Sequence, residues 1–412
     1  MPATQSQIAL SLLNLLLAAV QTGFGPFVSV WLTEKGWSQG DIGIALSVGT
    51  VAGLIGQLPA GALIDATNHK RLAAAFALIV LAISALMLAL FPEWLPVLGA
   101  QALHGLASCV LIPVISALTL AMVGHDGFAE RVGINARYAS IGNAGAAALL
   151  GLWATWLSQR GVLLLTAAMA VPALVSLLGI RGADLRDPPQ DDDHAAHLTP
   201  KIRSQAADPG WHIVWERGFL AFAGCAMLFQ LANAAMLPLA LNRYVANAKD
   251  NDWIISACIV VPQLVVAALS PLIGRLANYW GRRPVLVVGL LALPLRGVLL
   301  AMISEPTLLI PIELLDGLSG AVFGLMLPLI AADVSRRIGC LNLAIGGFNL
   351  AVGLGATVST TLAGVIADRI GIHMALLALA AAGGAAVILV WMVMPETRPV
   401  RQTRAARAVV SA

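Results

Sequence analysis

Three charged residues stand where an apolar chain should not hold them. Glu313 and Asp316 lie three residues apart in one long hydrophobic run, hence on one helical face, and Arg296 lies inside the run before it. At 1.5 Å per residue Arg296 is about 18 Å past Pro284, while Glu313 and Asp316 are about 9 Å and about 14 Å past Thr307. An arginine that deep in an apolar medium needs an acidic partner, and either carboxylate of the next run could serve. The group could be a structural ion pair, or it could take up and release a proton on a transport path. The third reading is a position near a membrane face, since Glu305 marks the turn just before the pair.

The same pattern recurs earlier, at an offset of 212 (316 − 104): Gln101 matches Glu313, His104 matches Asp316 and Gly105 matches Gly317. His104 titrates in the physiological range and could move protons with Asp316, or it could be a hydrogen-bonded packing residue. Other polar and aromatic residues within apolar runs are Asn14, Gln21, Thr22, Phe24, Phe27, Arg137, Tyr138, Asn143, Gln230, Asn233 and Gln263. Amides and rings without fixed charge suit a polar organic solute that has rings or several carbonyl groups. Amides in membranes also join helices to one another. Arg137 could hold an anionic group or snorkel to headgroups.

The elements that position these residues follow from composition. The chain of 412 residues is 59% hydrophobic and 11% charged, against about 25% charged for a soluble domain. Lipid is the solvent that fits. A net charge of +3, with no basic cluster interleaved with aromatics, gives no reason to expect nucleic acid as a partner. Cys109, Cys225, Cys258 and Cys340 have no metal or redox spacing, so neither disulfide, metal nor cofactor is expected. The first apolar run has no Lys or Arg before it and no evident cleavage site, and reads as a retained span.

At about 20 apolar residues per span, hydropathy gives six spans at 8–32, 41–64, 72–92, 95–123, 131–157 and 161–180. Six more lie at 217–245, 253–277, 284–303, 307–332, 340–367 and 372–394. The segment 181–216 carries Asp191-Asp192-Asp193 and several prolines and reads as a solvated linker between halves 1–180 and 217–394. Residues 395–412 form a tail with Arg398, Arg401, Arg404 and Arg407. If the termini and linker share one side, that side holds 18 Lys and Arg residues and the other holds 5. The bias puts both termini in the cytoplasm. Glycines at near four-residue spacing in span two (Gly43, Gly49, Gly53, Gly56, Gly61) and several in span eleven (Gly346, Gly347, Gly353, Gly355, Gly364) allow close helix packing and smooth sliding faces.

The loop Gly61-Ala62-Leu63-Ile64-Asp65-Ala66-Thr67-Asn68-His69-Lys70-Arg71 recurs as Gly274-Arg275-Leu276-Ala277-Asn278-Tyr279-Trp280-Gly281-Arg282-Arg283, at an offset of 213 (274 − 61). A polar, basic turn after the second span of each half marks a duplicated membrane protein. With twelve spans and a central linker, the two loops resemble the signature G-x-L-x-D-x-x-G-R-[KR] of the major facilitator superfamily. The first copy departs from it at Asn68 and His69, and the second has Asn278 in place of the acid.

The resemblance implies an all-α membrane fold of twelve helices in two six-helix bundles. They would rock about a central site lined by spans one, four, seven and ten. It implies that Asp65 favours the positive N-terminus of span eleven, with Lys70 and Arg71 in a charge network that shuts the cytoplasmic gate. Gly61, Gly274, Gly281, Asn278, Arg282 and Arg283 would belong to the same gate. Many proton-driven drug exporters of the superfamily carry Arg where this chain has Gln101, which argues mildly for another substrate.

The expected function is secondary transport of a small organic solute across the bacterial inner membrane by a monomer coupled to protons. Efflux of drugs or metabolites leads, and uptake of an organic acid or siderophore-like compound is the alternative. A phosphate-binding loop and a Ser/His/Asp constellation are both missing from the sequence, so neither an ATP-driven pump nor an enzyme is expected. A non-transporting membrane sensor, or an intramembrane enzyme or lipid flippase, are the readings from other classes.

Overall fold

The computed structural model describes residues 4–185, 211–244 and 252–397, apart from Gly25, Leu157, Ser304, Arg337 and Ile338. The acidic run Asp191–Asp193, Lys249 and the arginines of the tail lie outside the described residues. Everything regular within them is helical: α1 Gln5–Thr22, α2 Pro26–Glu34, α3 Gln39–Ala66, α4 Lys70–Leu90, α5 Trp94–Trp156, α6 Gln159–Leu178, α7 Arg217–Asn233, α8 Met236–Tyr244, α9 Asp252–Trp280, α10 Arg282–Leu290, α11 Ala292–Met302, α12 Leu309–Ser335, α13 Leu341–Ile370 and α14 Ile372–Val393, with three short 3₁₀ turns. Eleven of these stretches, some joining two helices, are long and apolar enough to cross a membrane. In lipid the helix is the economical form, because each backbone donor finds its acceptor within its own segment.

The helices break where the sequence permits. The expected loop between spans four and five is nearly absent, because α5 runs through it and departs from helical geometry only at Gly124 (φ 66°). That left-handed conformation is open to a residue without Cβ. The first run divides between Thr22 and Pro26, and its counterpart divides between Asn233 and Met236. At the end of the expected linker, Trp211–Trp215 forms a 3₁₀ turn. Its Ile213 is fully buried against the core, while His212, Trp215 and Glu216 beside it are exposed.

Two large apolar cores and one small one result. One gathers α1–α6 residues between Ala9 and Ile180. The other gathers residues from Ile213 to Met394, joined by Leu120, Phe128, Ala129 and Val132 of α5. Between them α3 packs on α13 and α5 packs on α9.

Candidate functional site

Arg296 is the hub of a buried network at the meeting of α7, α11 and α12. Its Nη2 donates to Glu313 Oε1 (2.9 Å) and Oε2 (2.8 Å). Its Nη1 donates to Asp316 Oδ1 (2.7 Å) and Asn233 Oδ1 (2.6 Å). Both carboxylates that the sequence offered are therefore used. Side-chain exposure is 2% for Arg296, 0% for Glu313 and 23% for Asp316. The first two cancel as a closed ion pair. Asp316 leaves the cluster one negative charge in excess, and it alone of the three keeps an open side. Gly320 and Gly324, one and two turns further along the same face, border open space.

The first half repeats this constellation without its charges. Subtracting 212 from Asn233, Arg296, Glu313 and Asp316 gives Gln21, Ser84, Gln101 and His104. His104 Nε2 lies 3.1 Å from Gln21 Oε1, and Gln21 Nε2 donates to Ser108 Oγ (3.1 Å). The His104 ring stacks on Phe24 with centroids 4.1 Å apart. Ser84 Oγ donates to Ala100 O (2.7 Å). Gln101 is 3% exposed and packs against Gly49, and its Nε2 has no partner among the described residues. The matched glycines do matched work, Gly105 approaching Gly49 and Gly53, and Gly317 approaching Pro262 and Val265. Gln21 and Asn233 each sit in the last turn before a helix break, where backbone carbonyls lose their helical partners. Asn143 joins the halves, donating to Gln263 Oε1 (3.4 Å) while accepting from Thr22 Oγ1 (3.1 Å).

Other expected substrate ligands lie elsewhere. Asn14 is buried and donates to Leu10 O of its own helix (2.8 Å). Phe27 packs with Ala19, Ala146, Leu150 and Val162 in a small core. Arg137 and Tyr138 lie on an exposed face of α5 with Ile141 and Leu149, while Asn143 points to α1 and α9. Arg137 Nε donates to Ala267 O (2.9 Å), so it bridges the halves instead of entering the polar cluster. Gln230 shares the face of Asn233 one turn earlier and is half-buried.

At one end of the molecule the halves are shut by two matching helix crossings. Gly61 of α3 rests on the carbonyl of Asn342, and Gly346 of α13 rests on the carbonyl of Gln57. In the second crossing Gly133 of α5 rests on the carbonyl of Ser270, and Gly274 of α9 on that of Ala129. Each glycine meets the residue four before its partner glycine. A methyl at Gly133 or Gly274 would lie 2.6 Å from the facing oxygen, so any side chain would part the helices.

The latches on these crossings differ. Asp65 Oδ1 accepts from Asn342 N (3.0 Å) and Asn342 Nδ2 (2.7 Å), and Oδ2 accepts from Leu343 N (2.8 Å). It thereby caps α13, whose own N-cap residue Cys340 supplies no side-chain bond. Asn278 does not cross to the other half, and its Oδ1 accepts from Arg282 Nη1 (3.1 Å). Arg282 also pairs with Asp333 (2.9 Å), and Glu396 accepts from the backbone N–H of Arg282 (2.8 Å) and Arg283 (3.1 Å) past Gly281 (φ 102°). Arg283 Nη2 donates to Trp391 O. The cross-half ion pair is instead Arg275–Glu130 (3.0 Å), which the sequence reading missed. Among the described residues Lys70 and Arg71 form no ion pair and the buried Arg71 Nε has no partner, while Lys70 acts on Asp65 through its charge without a direct contact.

Toward the opposite end the helices part. Gly43, on the α3 face that carries Leu54 and Gly61, and Gly364 of α13 have nothing near them. Ser47, Thr50, Thr357 and Thr361 are exposed between, their hydroxyls bonded back to carbonyls four residues earlier. The sequence signal for this cleft is small polar residues continuing the face of the crossing glycines.

The model of the Major Facilitator Superfamily matches residues 10–257 and 222–411. The chain belongs to the major facilitator superfamily. A relative in Mycobacterium tuberculosis, named as an uncharacterized MFS-type transporter, is 34% identical over 395 residues, covering 94% of this chain and 93% of its own length. The fold matches the proton:xylose symporter XylE at a TM-score of 0.72 and 14% identity, covering 96% of each chain. It matches the human organic anion transporter MFSD10 at 0.72 and 14%, covering 94% of this chain and 99% of that one. The E. coli fucose:proton symporter FucP matches at 0.72 and 15%, covering 93% and 97%. As a member of the superfamily, the protein is a multi-pass membrane transporter and not an enzyme.

Proposed function

We propose that the protein moves a small organic solute across the bacterial inner membrane by alternating access, coupled to protons through Asp316, with efflux as its direction. The observation that carries this is the one unbalanced, partly exposed carboxylate in an otherwise neutral buried network. Protonating either acid neutralises the cluster, but only Asp316 keeps an open side, whereas Glu313 is closed in its bidentate pair with Arg296. Intramembrane carboxylates cost too much to keep without a role. Two of the structural neighbours are proton symporters, which agrees with such coupling here. An excess negative charge beside the cleft weighs against uptake of an organic acid, the alternative from sequence.

Twelve spans follow when α5 is counted twice, since 57 residues would extend about 85 Å against a hydrocarbon core of about 30 Å. The two cores support bundles over 1–180 and 217–394, with a linker at 181–216 and a tail at 395–412. By the Lys/Arg bias both termini are cytoplasmic. The end shut by Asp65 is then the cytoplasmic gate, and the described conformation faces outward. Nothing in the architecture requires more than a monomer.

The test is flux in proteoliposomes under an imposed proton gradient. Wild-type protein accelerates solute movement with the gradient, and Asp316→Asn inserts and folds but abolishes the acceleration. Normal gradient-driven flux by Asp316→Asn between pH 6 and 8 would defeat the assignment.

A further inference from the structure

We infer that the chain carries a third copy of its signature loop, at the end of α13, and that Asp368 in it latches the cleft shut in the opposite conformation, as Asp65 latches the other end. This rests on the alternating-access part of the proposed function and not on the proton site. The copy runs Gly364-Val365-Ile366-Ala367-Asp368-Arg369-Ile370-Gly371. Its acid stands four residues past its first glycine, as Asp65 does past Gly61, and its second glycine stands seven past, as Gly281 does past Gly274. Gly371 has φ 106° and Gly281 φ 102°, and each stands just before the next helix, α14 and α10 respectively. Ile372 and His373 replace the Arg282 and Arg283 of the second copy, as suits a loop on the side away from the cytoplasm.

Helix register sets what Asp368 meets. At the shut end α3 joins α13 through Asp65 with Asn342, Gly61 with Gly346, and Leu54 with Gly353. In each pair the two residue numbers add to 407, so the helices run antiparallel in one register. Carried past Leu54 into the cleft, that register pairs like with like. Thr50 falls opposite Thr357, Ser47 opposite Thr360, and Gly43 opposite Gly364. All four hydroxyl residues are exposed, and a Cβ on either glycine would meet nothing within 4 Å. Rocking about Leu54 and Gly353 brings these pairs together without sliding, and Gly43 and Gly364 make the crossing that Gly61 and Gly346 give up. The same register sets Asp368 against the N–H groups of Gln39 and Gly40, as Asp65 is set against those of Asn342 and Leu343. Gln39 and Gly40 open α3, so neither N–H has a partner within its helix. The N-cap Ser38 occupies a different donor, Asp41 N (3.1 Å). Asp41 lies about 200° round the helix from Gln39, its carboxylate bonded by Ser38 Oγ (2.7 Å), so its charge is turned from this contact. Asp368 itself is exposed and makes no hydrogen bond or ion pair among the described residues.

The experiment uses the full chain in proteoliposomes, with its four cysteines replaced by alanine, and reads disulfide formation under copper phenanthroline. Ser47→Cys with Thr360→Cys, in register, should cross-link faster than Thr50→Cys with Thr361→Cys, one turn out of register. Asp368→Asn should slow the in-register cross-link about tenfold, and labelling of Gln57→Cys at the shut crossing by a like factor, as for any carboxylate lost from a helix N-terminus. Asp65→Asn should speed both, and the double variant should return near the parent. Arg369→Gln, next to the latch but exposed, should change either by less than about twofold. An unchanged rate in Asp368→Asn, an equal rate for the out-of-register pair, or no cross-link even with Asp65→Asn overturns the inference. The Ser47–Thr360 disulfide, once formed, should also expose Gln57→Cys to label. A disulfide that forms while Gln57→Cys stays shielded removes the alternating-access reading instead and leaves the latch standing.

Discussion

Replacing Asp65 with Asn tests whether a single side chain holds the closed end. Asp65 accepts three hydrogen bonds from the first turn of α13, two of them from backbone N–H groups that have no partner in their own helix. Asparagine keeps one acceptor oxygen and loses the charge. A carboxylate at a partly buried helix N-terminus contributes up to about 2 kcal/mol, and a hydrogen bond to a charged group about 1.5–3 kcal/mol. These overlap, so about 2 kcal/mol is a fair value for the difference between closed and open. That is about 30-fold in the equilibrium. A thiol at Gln57, half-buried in the crossing with its Oε1 unpartnered, reports opening with little loss of its own. The four native cysteines, all buried, are first replaced by alanine. Labelling of Gln57→Cys scales with the population of the opened state, so Asp65→Asn should speed it about 30-fold. Labelling at Thr361→Cys, exposed at the other end, should not rise. Asn278→Ala removes a bond made wholly within one half and should change labelling less than about twofold, on the order of a few tenths of a kcal/mol. Equal acceleration by the two substitutions, or none by Asp65→Asn, would refute the assignment of the latch.

Two further outcomes follow from burial. Arg296→Met strands the fully buried Glu313 and should cost about 3–5 kcal/mol, read as loss of thermal stability in detergent, and adding Glu313→Gln should restore most of it. No loss in the single variant would mean the pair is dispensable. Arg275→Ala breaks an ion pair whose side chains are 64% and 50% exposed, so it should raise Gln57→Cys labelling less than about fivefold, about 1 kcal/mol or less. That effect should fade in high salt, whereas the Asp65→Asn effect should persist.

Much of the architecture was legible because lipid leaves few choices. Long apolar runs, two matching loops and a constant offset sufficed for helices, duplication and family. Arg296 with its acids was legible for the same reason: a cation in an apolar run demands a partner, and the next run offered two. Asp65 on α13 was legible only through the family resemblance. What stayed hidden depends on facing. Arg137 and Tyr138 carry the same polar signal as Asn143, but a helix turns 100° per residue, and only packing shows which neighbours each side chain meets. Phe27 and Asn14 were hidden likewise. The linker's far end was hidden because five residues with one buried isoleucine, Ile213, carry too little pattern to show against a polar stretch. Arg275–Glu130 joins residues 145 apart, and nothing in either neighbourhood announces the other.

The contrast between Asp65 and Asn278 has a cause in where helices begin. At the first crossing α13 starts at Leu341, so the N–H groups of Asn342 and Leu343 are among those a helix leaves unpaired, and a carboxylate has something to cap. At the second crossing the matching residues are Ala129 and Glu130. They lie in α5 beyond the break at Gly124, a turn further into helical structure, where backbone donors reach carbonyls four residues earlier. A carboxylate at position 278 would find no free donors there and would sit near Glu130. The neutral side chain that turns back to Arg282 suits that environment better, and the cation Arg275 makes use of Glu130 instead. The same logic governs the centre. A second Arg–acid network in the first half would bury another set of charges. With Gln21, Ser84, Gln101 and His104 in those places, one proton is enough to make the cluster neutral. The duplication kept the glycine crossings and the polar positions in both halves, and the charges of the central cluster stand only in the half where Arg296 pairs with Glu313 and Asp316.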